Sequence, residues 1–112
     1  MITQEIAARL AQYCRKGEWE KAQEELYADD AVSIEPYETP AFSKETKGKQ
    51  AILEKGKKFT EMTLEMHSLE ISEPLVAENS FVFRMDLDIT TKGQGRMKVA
   101  ELCVYQVKDG KI

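Results

Sequence analysis

The N-terminal part of the chain carries apolar residues at the spacing of amphipathic helices. Ile6 and Leu10 recur four residues apart in the first segment, and a similar stripe occupies residues 18–27. Gly17 separates the two segments, as is typical just beyond a helix end. The pattern predicts a helical hairpin, followed by a third helix over residues 49–60.

The rest of the chain alternates between apolar and polar residues, which is typical of strands. The clearest alternation covers residues 81–89, and residues 62–74 and 97–107 also show a strand pattern. A short strand is predicted over residues 31–35, followed by a loop over residues 36–47. Helices followed by strands predict an α+β fold, a cone-shaped roll of three N-terminal helices packed on a curved, mainly antiparallel sheet. Such a cone can keep an open pocket at its mouth.

Length and charge restrict the class of protein. The 112 residues suit a single domain over 1–112. Sixteen Lys and Arg against twenty Asp and Glu give a net charge of −4, which argues against nucleic-acid binding. No apolar run approaches the roughly 20 residues of a membrane span, and the N-terminus has no apolar signal core. We therefore expect no nucleic-acid or membrane partner and a cytoplasmic location.

Motifs that bind cofactors or metals are few. Cys14 and Cys103 are far apart in sequence and are expected to be reduced thiols. The single histidine, His67, argues against a multi-histidine metal site. The GQG segment at residues 93–95 is a predicted turn between strands rather than a phosphate-binding loop. No cofactor and no metal are therefore expected.

Two ionisable residues are candidates for a catalytic site because of their place on predicted strands. His67 shares a predicted face with Leu69 and Ile71, either as a histidine satisfied by the backbone or as an acid–base group of a pocket. Glu35 ends the first strand, either as a solvated carboxylate or as a catalytic base beneath the long loop.

A third candidate, Glu101, depends on strand register. If the odd positions of residues 81–89 and 97–107 share a face, Glu101 points inward, whereas a shift by one residue leaves it in water. The turn composition leaves both registers open. If Glu35 and Glu101 both enter an apolar cavity, desolvation and mutual repulsion are expected to raise the pKa of at least one of them.

Residues on the apolar stripes are candidates for the lining of a ligand pocket. They are Tyr13, Trp19, Phe59, Phe83, Met85, Cys103 and Tyr105. Tyr13 and Trp19 also suit plain core packing. Cys103 is expected to act as a small apolar residue, since no basic neighbour activates its thiol.

Three segments carry a family resemblance. They are the helix-to-strand segment 25–36 (ELYADDAVSIEP), the helix start 48–52 (GKQAI) and the late strand 104–112 (VYQVKDGKI). In this order they resemble the nuclear transport factor 2-like superfamily, and most closely its SnoaL-like polyketide-cyclase branch. The resemblance implies the α+β cone, a hydrophobic pocket between sheet and helices, and homodimers formed through the sheet. It also implies one more strand, so the chain is expected to lack a final strand.

The resemblance also implies roles for single residues. Compared with the ketosteroid isomerases of the superfamily, Glu35 matches the general-base aspartate that precedes a proline. Cys103 and Leu10 stand at or near the positions of the two oxyanion donors, which argues against steroid isomerisation itself. The resemblance favours the register that turns Glu101 and Cys103 inward.

Two functions are left open at this point. The first is binding of a small, largely apolar molecule that bears a carbonyl or similar polar group. Proton transfer, in an isomerisation or an aldol-type cyclisation, would use Glu35 as base and His67 or Glu101 as acid or orienting group. The second is a non-catalytic binding or dimerisation module, in which outward residues such as Leu102 and Val104 form a symmetric sheet-to-sheet interface.

Overall fold

The fold combines helices and strands in the order that the hydrophobic pattern predicts. The computed structural model describes residues 1–36, 38, 39 and 42–112. In chain order the elements are α1 (Thr3–Arg15), α2 (Trp19–Leu26), β1 (Val32–Ile34), β2 (Glu45–Lys47), α3 (Lys49–Met62), β3 (Thr63–Ile71), β4 (Leu75–Ala77), β5 (Ser80–Thr91) and β6 (Gly95–Gln106). The predicted α+β class is confirmed, with three helices packed on a mainly antiparallel sheet.

The main sheet is built around β5. Strand β6 pairs with β5 along its whole length, from Ser80 opposite Gln106 to Thr91 opposite Gly95. Strands β3 and β4 follow one another along the other edge of β5, and all of these pairings are antiparallel. Strands β1 and β2 form a separate two-stranded sheet. The long β5–β6 hairpin therefore decides which side chains reach the inner face.

The core forms where α1 lies across the inner face of the main sheet. Phe81 and Phe83 alternate along β5 and are each 2% exposed. They belong to one buried cluster with Ile6 and Leu10 of α1. This part of the cone is therefore filled by side chains.

Two short strands differ from the sequence-based prediction. Strand β2 lies within residues 36–47, which were predicted to be a loop, and β4 lies where no strand was predicted. Each has three residues, and neither shows the alternation of apolar and polar residues that predicts the strand over residues 31–35. Tyr37, Pro40 and Ala41 of the predicted loop lie outside the described residues.

Candidate functional site

The β5–β6 register turns Glu101 toward the inner face of the sheet. Met85 pairs with Glu101 and Phe83 with Cys103, so the odd-numbered residues of both strands share one face. Phe83 is buried in the core, which identifies that face as the inner one. Of the two registers that the sequence leaves open, the structure has the one with Glu101 inward.

A lysine of α3 brings the end of β1 into the site. The Nζ atom of Lys55 lies 3.1 Å from Oε1 of Glu35 and 3.4 Å from Oγ of Ser33. The side chain of Lys55 is 20% exposed and that of Glu35 is 42% exposed. The carboxylate of Glu35 is therefore ion-paired at the surface end of the site instead of being freely solvated.

Glu101 is influenced by both members of this ion pair. Glu101 is exposed, yet partial burial of its carboxyl group raises its pKa above the ordinary value of 4.5. The negative charge of Glu35 raises this pKa further, and the positive charge of Lys55 lowers it. The pKa shift has the direction predicted from the sequence. We call Ser33, Glu35, Lys55 and Glu101 the mouth cluster.

Neutral polar groups continue from Glu101 along the inner face of β6. Burial, and secondarily the charge of Glu101, raises the pKa of the Cys103 thiol to about 12. Tyr105 interacts electrostatically with Tyr27 and Cys103, and burial raises its pKa well above 10.0. Its ring stacks on Phe81 with 4.9 Å between centroids. The raised pKa favours the neutral thiol of Cys103, which is paired with Phe83 on the inner face.

Strand β3 contains two β-bulges, and His67 is one of the extra residues. The register against β5 shifts between Thr63 and Glu65 and again between Met66 and Ser68. A bulge inserts a residue without a partner and changes the direction of its side chain. His67 is therefore not subject to the simple alternation of the strand.

The bulge turns the His67 ring to the outer face of the sheet. Its Nε2 atom lies 2.7 Å from Oγ1 of Thr90, and its Nδ1 atom lies 2.8 Å from Oε2 of Glu65. Thr90 follows Ile89, which is completely buried, so Thr90 points to the opposite, outer side. The prediction that His67 shares a face with Leu69 is therefore wrong, and the structure does not bring His67 together with Glu35 and Glu101.

Tyr13 is engaged at the contact between α1 and α2. Its hydroxyl group donates a hydrogen bond to Oε1 of Glu25 over 2.9 Å. Arg9 donates to the same carboxylate over 2.6 Å, and its guanidinium group lies 6.0 Å from the centre of the Tyr13 ring. The hydroxyl of Tyr13 thus has a structural partner, which is the packing alternative considered for it.

The remaining predicted lining residues lie at different depths. Phe83 is buried, with its ring centre 5.5 Å from that of Tyr105. Trp19 and Met85 are half-buried and pack against the core cluster, and Phe59 is half-buried on α3. Met85 is paired with Glu101, which places it beside the mouth cluster.

Two open clefts lie where the described chain begins and ends. Both are lined in part by residues 107–109. Neither contains Glu35, Lys55 or Glu101. A pocket at the mouth cluster therefore stays a prediction.

The described residues contain neither a grouped set of metal ligands nor a membrane-crossing helix. Over residues 1–36, 38, 39 and 42–112, no three His, Cys, Asp or Glu side chains come together as a metal ion would require. In the same part of the chain no helix is long and apolar enough to span a bilayer.

Lys55 and Ser33 are the members of the mouth cluster that sequence reasoning missed. Lys55 lies three residues after Ile52 and four before Phe59, on the apolar stripe of α3. A lysine on an apolar stripe is a signal that the sequence contains. Its partner on β1 is not visible in sequence, because Glu35 is twenty residues away.

The fold is a small α+β domain in which Glu101 lies on the inner face of the main sheet and Glu35 lies at the end of β1, paired with Lys55. The SnoaL-like domain family matches residues 1–112, and the chain belongs to this family. No protein with a curated description matches it.

Solved structures agree with this assignment. A candidate SnoaL-like polyketide cyclase from Mesorhizobium loti, also described as a carbohydrate phosphatase, is 32% identical with a TM-score of 0.91, over 99% of this chain and 93% of that chain. A cystatin-like fold protein of unknown function from Xanthomonas campestris is 16% identical, with a TM-score of 0.82; the match covers 99% of this chain and 84% of that chain. A candidate isomerase from Bacillus subtilis is 18% identical, with a TM-score of 0.70; the match covers 99% of this chain and 84% of that chain. The last two similarities show the fold alone.

Proposed function

We propose that the protein binds a small, largely apolar carbonyl compound at the mouth cluster and transfers a proton at the carbon next to the carbonyl group. The observation that carries this proposal is the difference between two neighbouring carboxyl groups: Glu35 is ion-paired, and Glu101 has a raised pKa. Two carboxyl groups in different environments suit opposite roles, one as base and one as acid.

Glu35 is the proposed base. The hydrogen bond from Lys55 holds its carboxylate in one orientation. The carboxylate removes a proton from the carbon next to the carbonyl group, and the electron pair of the broken C–H bond moves to form an enolate. For isomerisation, Glu35 returns the proton to a different carbon atom. For cyclisation, the enolate carbon forms a bond to a second carbonyl carbon, the π electrons of that C=O bond move to its oxygen, and this oxygen takes the proton that Glu35 removed.

Glu101 is the proposed acid. The partial burial that raises its pKa makes its protonated form easier to reach than that of a solvated carboxyl group, and this form donates a hydrogen bond or a proton to the carbonyl oxygen as negative charge develops there. The half-buried Met85, paired with Glu101, supplies apolar surface for the ligand. The isomerase and cyclase descriptions of similar structures fit the same type of chemistry.

Deuterium exchange tests the proposal without knowledge of the natural substrate. The probe is β-tetralone, an apolar ketone with acidic protons next to its carbonyl group, incubated in D2O and followed by proton NMR. We expect the wild-type protein to accelerate exchange and Glu35→Gln to slow it at least about tenfold, because a positioned base is lost.

Glu54→Gln is the matched control, since Glu54 is exposed on α3 and outside the mouth cluster. It should exchange the probe at the wild-type rate. Equal rates for wild type and Glu35→Gln would remove the proposed base. Mass spectrometry of small molecules that co-purify with the protein would then be the direct route to its ligand.

We also propose that the protein forms a homodimer through the outer face of its sheet. Leu75, Leu102 and Val104 are 74%, 72% and 68% exposed, and the strand register places them close together. Exposed apolar side chains that cluster in this way are typical of protein–protein contact surfaces. The adjacent charges of Arg84 and Asp86 pair with one another over 2.8 Å, so two copies can face each other without a net like charge.

A further inference from the structure

Lys55 is placed unlike a solvated lysine. Its side chain is 20% exposed, whereas that of Lys57, two residues further along α3, is 61% exposed. Withdrawal of an ammonium group from water is unfavourable unless oxygen atoms replace the lost hydration. The oxygen atoms that replace the hydration of the Lys55 ammonium group therefore need to be identified.

The partners that the described residues offer do not use the full donor capacity of Lys55. An ammonium group carries three N–H donors. The oxygen atoms of Glu35 and Ser33 accept from it at 3.1 and 3.4 Å, and the second of these is long for a hydrogen bond. At least one donor is thus left for an oxygen atom that does not belong to the described part of the chain.

The charges around Lys55 favour direct contact with this oxygen. Lys55 and Glu35 form a pair without net charge. Negative charge on a ligand oxygen is therefore stabilised where the oxygen touches the ammonium group and lies farther from Glu35.

We propose that Lys55 binds the oxygen atom of the ligand and stabilises the negative charge that forms there, and that the mouth cluster therefore selects compounds whose oxygen ionises readily, such as β-dicarbonyl compounds and phenols. This inference rests on the proposed function and names its ligand class. The oxygen and the reacting carbon of a carbonyl compound are separated by a single carbon atom. A base and an oxygen-binding cation must accordingly be neighbours, as Glu35 and Lys55 are.

An ionisable chromophore tests this inference. The probe is para-nitrophenol, whose absorption distinguishes phenol from phenolate, and the methyl NMR signal of Met85 reports binding beside Glu101. With wild-type protein we expect the bound probe to ionise at lower pH than the free probe. Lys55→Met should abolish this shift and weaken phenolate binding by roughly 10- to 100-fold, as expected for loss of a charged hydrogen bond.

Two variants separate charge from structure. Lys55→Arg keeps the cation and should retain most of the shift. Lys57→Met makes the same substitution at an exposed position of the same helix and should behave as wild type. Circular dichroism establishes whether each variant is folded. If Lys55→Met does not fold, Lys55→Arg still tests the inference.

The outcomes distinguish this inference from the proposed function. If Lys55→Met binds para-nitrophenolate as well as wild type, or if Lys55→Arg loses the shift completely, the inference is wrong, while exchange dependent on Glu35 would still support proton transfer. If the probe does not perturb Met85 in the wild-type protein, the mouth cluster is not its binding site and the inference is overturned. If wild type and Glu35→Gln exchange the ketone probe at the same rate, the proposed function itself is overturned.

Discussion

At the scale of single residues, the site depends on where three ionisable side chains are held. Glu101 lies on the inner face, Glu35 is paired with Lys55, and His67 lies on the outer face beside Thr90. The first two were predictable as candidates from their strand positions. The direction of the His67 side chain was not predictable, because a bulge interrupts the alternation and the sequence pattern around His67 does not reveal it.

The raised pKa of Glu101 predicts a pH-dependent effect of its replacement. A carboxyl group whose pKa is higher in the folded protein costs stability once it ionises, and this cost disappears as the pH falls below the unfolded value near 4.5. Glu101→Gln should therefore be more stable than wild type at neutral pH, by less than about 1 kcal/mol because solvent screens the site. Urea unfolding between pH 4 and pH 8, chosen on either side of the ordinary carboxyl range, measures the difference.

The advantage of Glu101→Gln should shrink as the pH is lowered. Glu54→Gln, which removes a charge from an exposed position on α3, controls for the change in net charge. A stability gain for Glu101→Gln that stays constant down to the lowest pH would contradict the role of ionisation.

At the scale of secondary structure, α3 is the element that links the site to the rest of the fold. It carries Lys55, and it packs beside α2 at Gly56. A Cβ atom at Gly56 would lie 3.5 Å from Oε1 of Gln23, which is ordinary van der Waals contact. The glycine is therefore not required by a close approach of the two helices.

Gly56→Ala should stabilise the protein by about 0.5–1 kcal/mol, because alanine loses less conformational entropy in a helix than glycine does. Gly48→Ala is the opposing control. Gly48 precedes α3 with a φ of 92°, which a residue with a side chain adopts at a cost of about 1–3 kcal/mol. Thermal unfolding of both variants should give shifts of opposite sign; destabilisation by Gly56→Ala would mean that α2 and α3 cannot accommodate the added methyl group.

The elements that could be predicted are those whose residues show a period, which includes the short strand β1 within the alternating residues 31–35. The helices and the strands β3, β5 and β6 each cover at least two turns or four alternations, and all of them were predicted. The three-residue strands β2 and β4 are stabilised by pairing with distant segments, which no local pattern records. The β5–β6 register is likewise a long-range property, so the direction of Glu101 was open until the pairing with Met85 was known.

At the scale of the whole molecule, the order of helices and strands was sufficient to predict the α+β cone, because few packings bury one face of such a sheet. How far side chains fill the interior of the cone could not be predicted from the sequence. Side chains of α1 and β5 fill the region around Phe81 and Phe83, and the ionisable groups gather at the mouth cluster instead.

The exposed side chains of Leu75, Leu102 and Val104 predict a homodimer that a single added charge at the interface would disrupt. Leu102→Glu places a carboxylate in the proposed interface and should convert a dimer into a monomer, as measured by sedimentation equilibrium. Leu64→Glu is the matched control, because Leu64 is 61% exposed but lies at the first bulge of β3, away from Leu102. A dimer that persists in Leu102→Glu, or a wild-type monomer, would place the interface elsewhere or exclude it.

The second bulge of β3 has a consequence for the way this strand tolerates changes of length. The pairs on both sides of His67, Met66 with Ile89 and Ser68 with Asp88, belong to consecutive residues of β5. Deletion of the single codon for His67 would therefore join two segments that already keep the correct facing, without reversing Leu69 or any residue after it. A strand that has absorbed an insertion in this way can lose it again, and homologous chains that are one residue shorter at this point can keep the same inner surface.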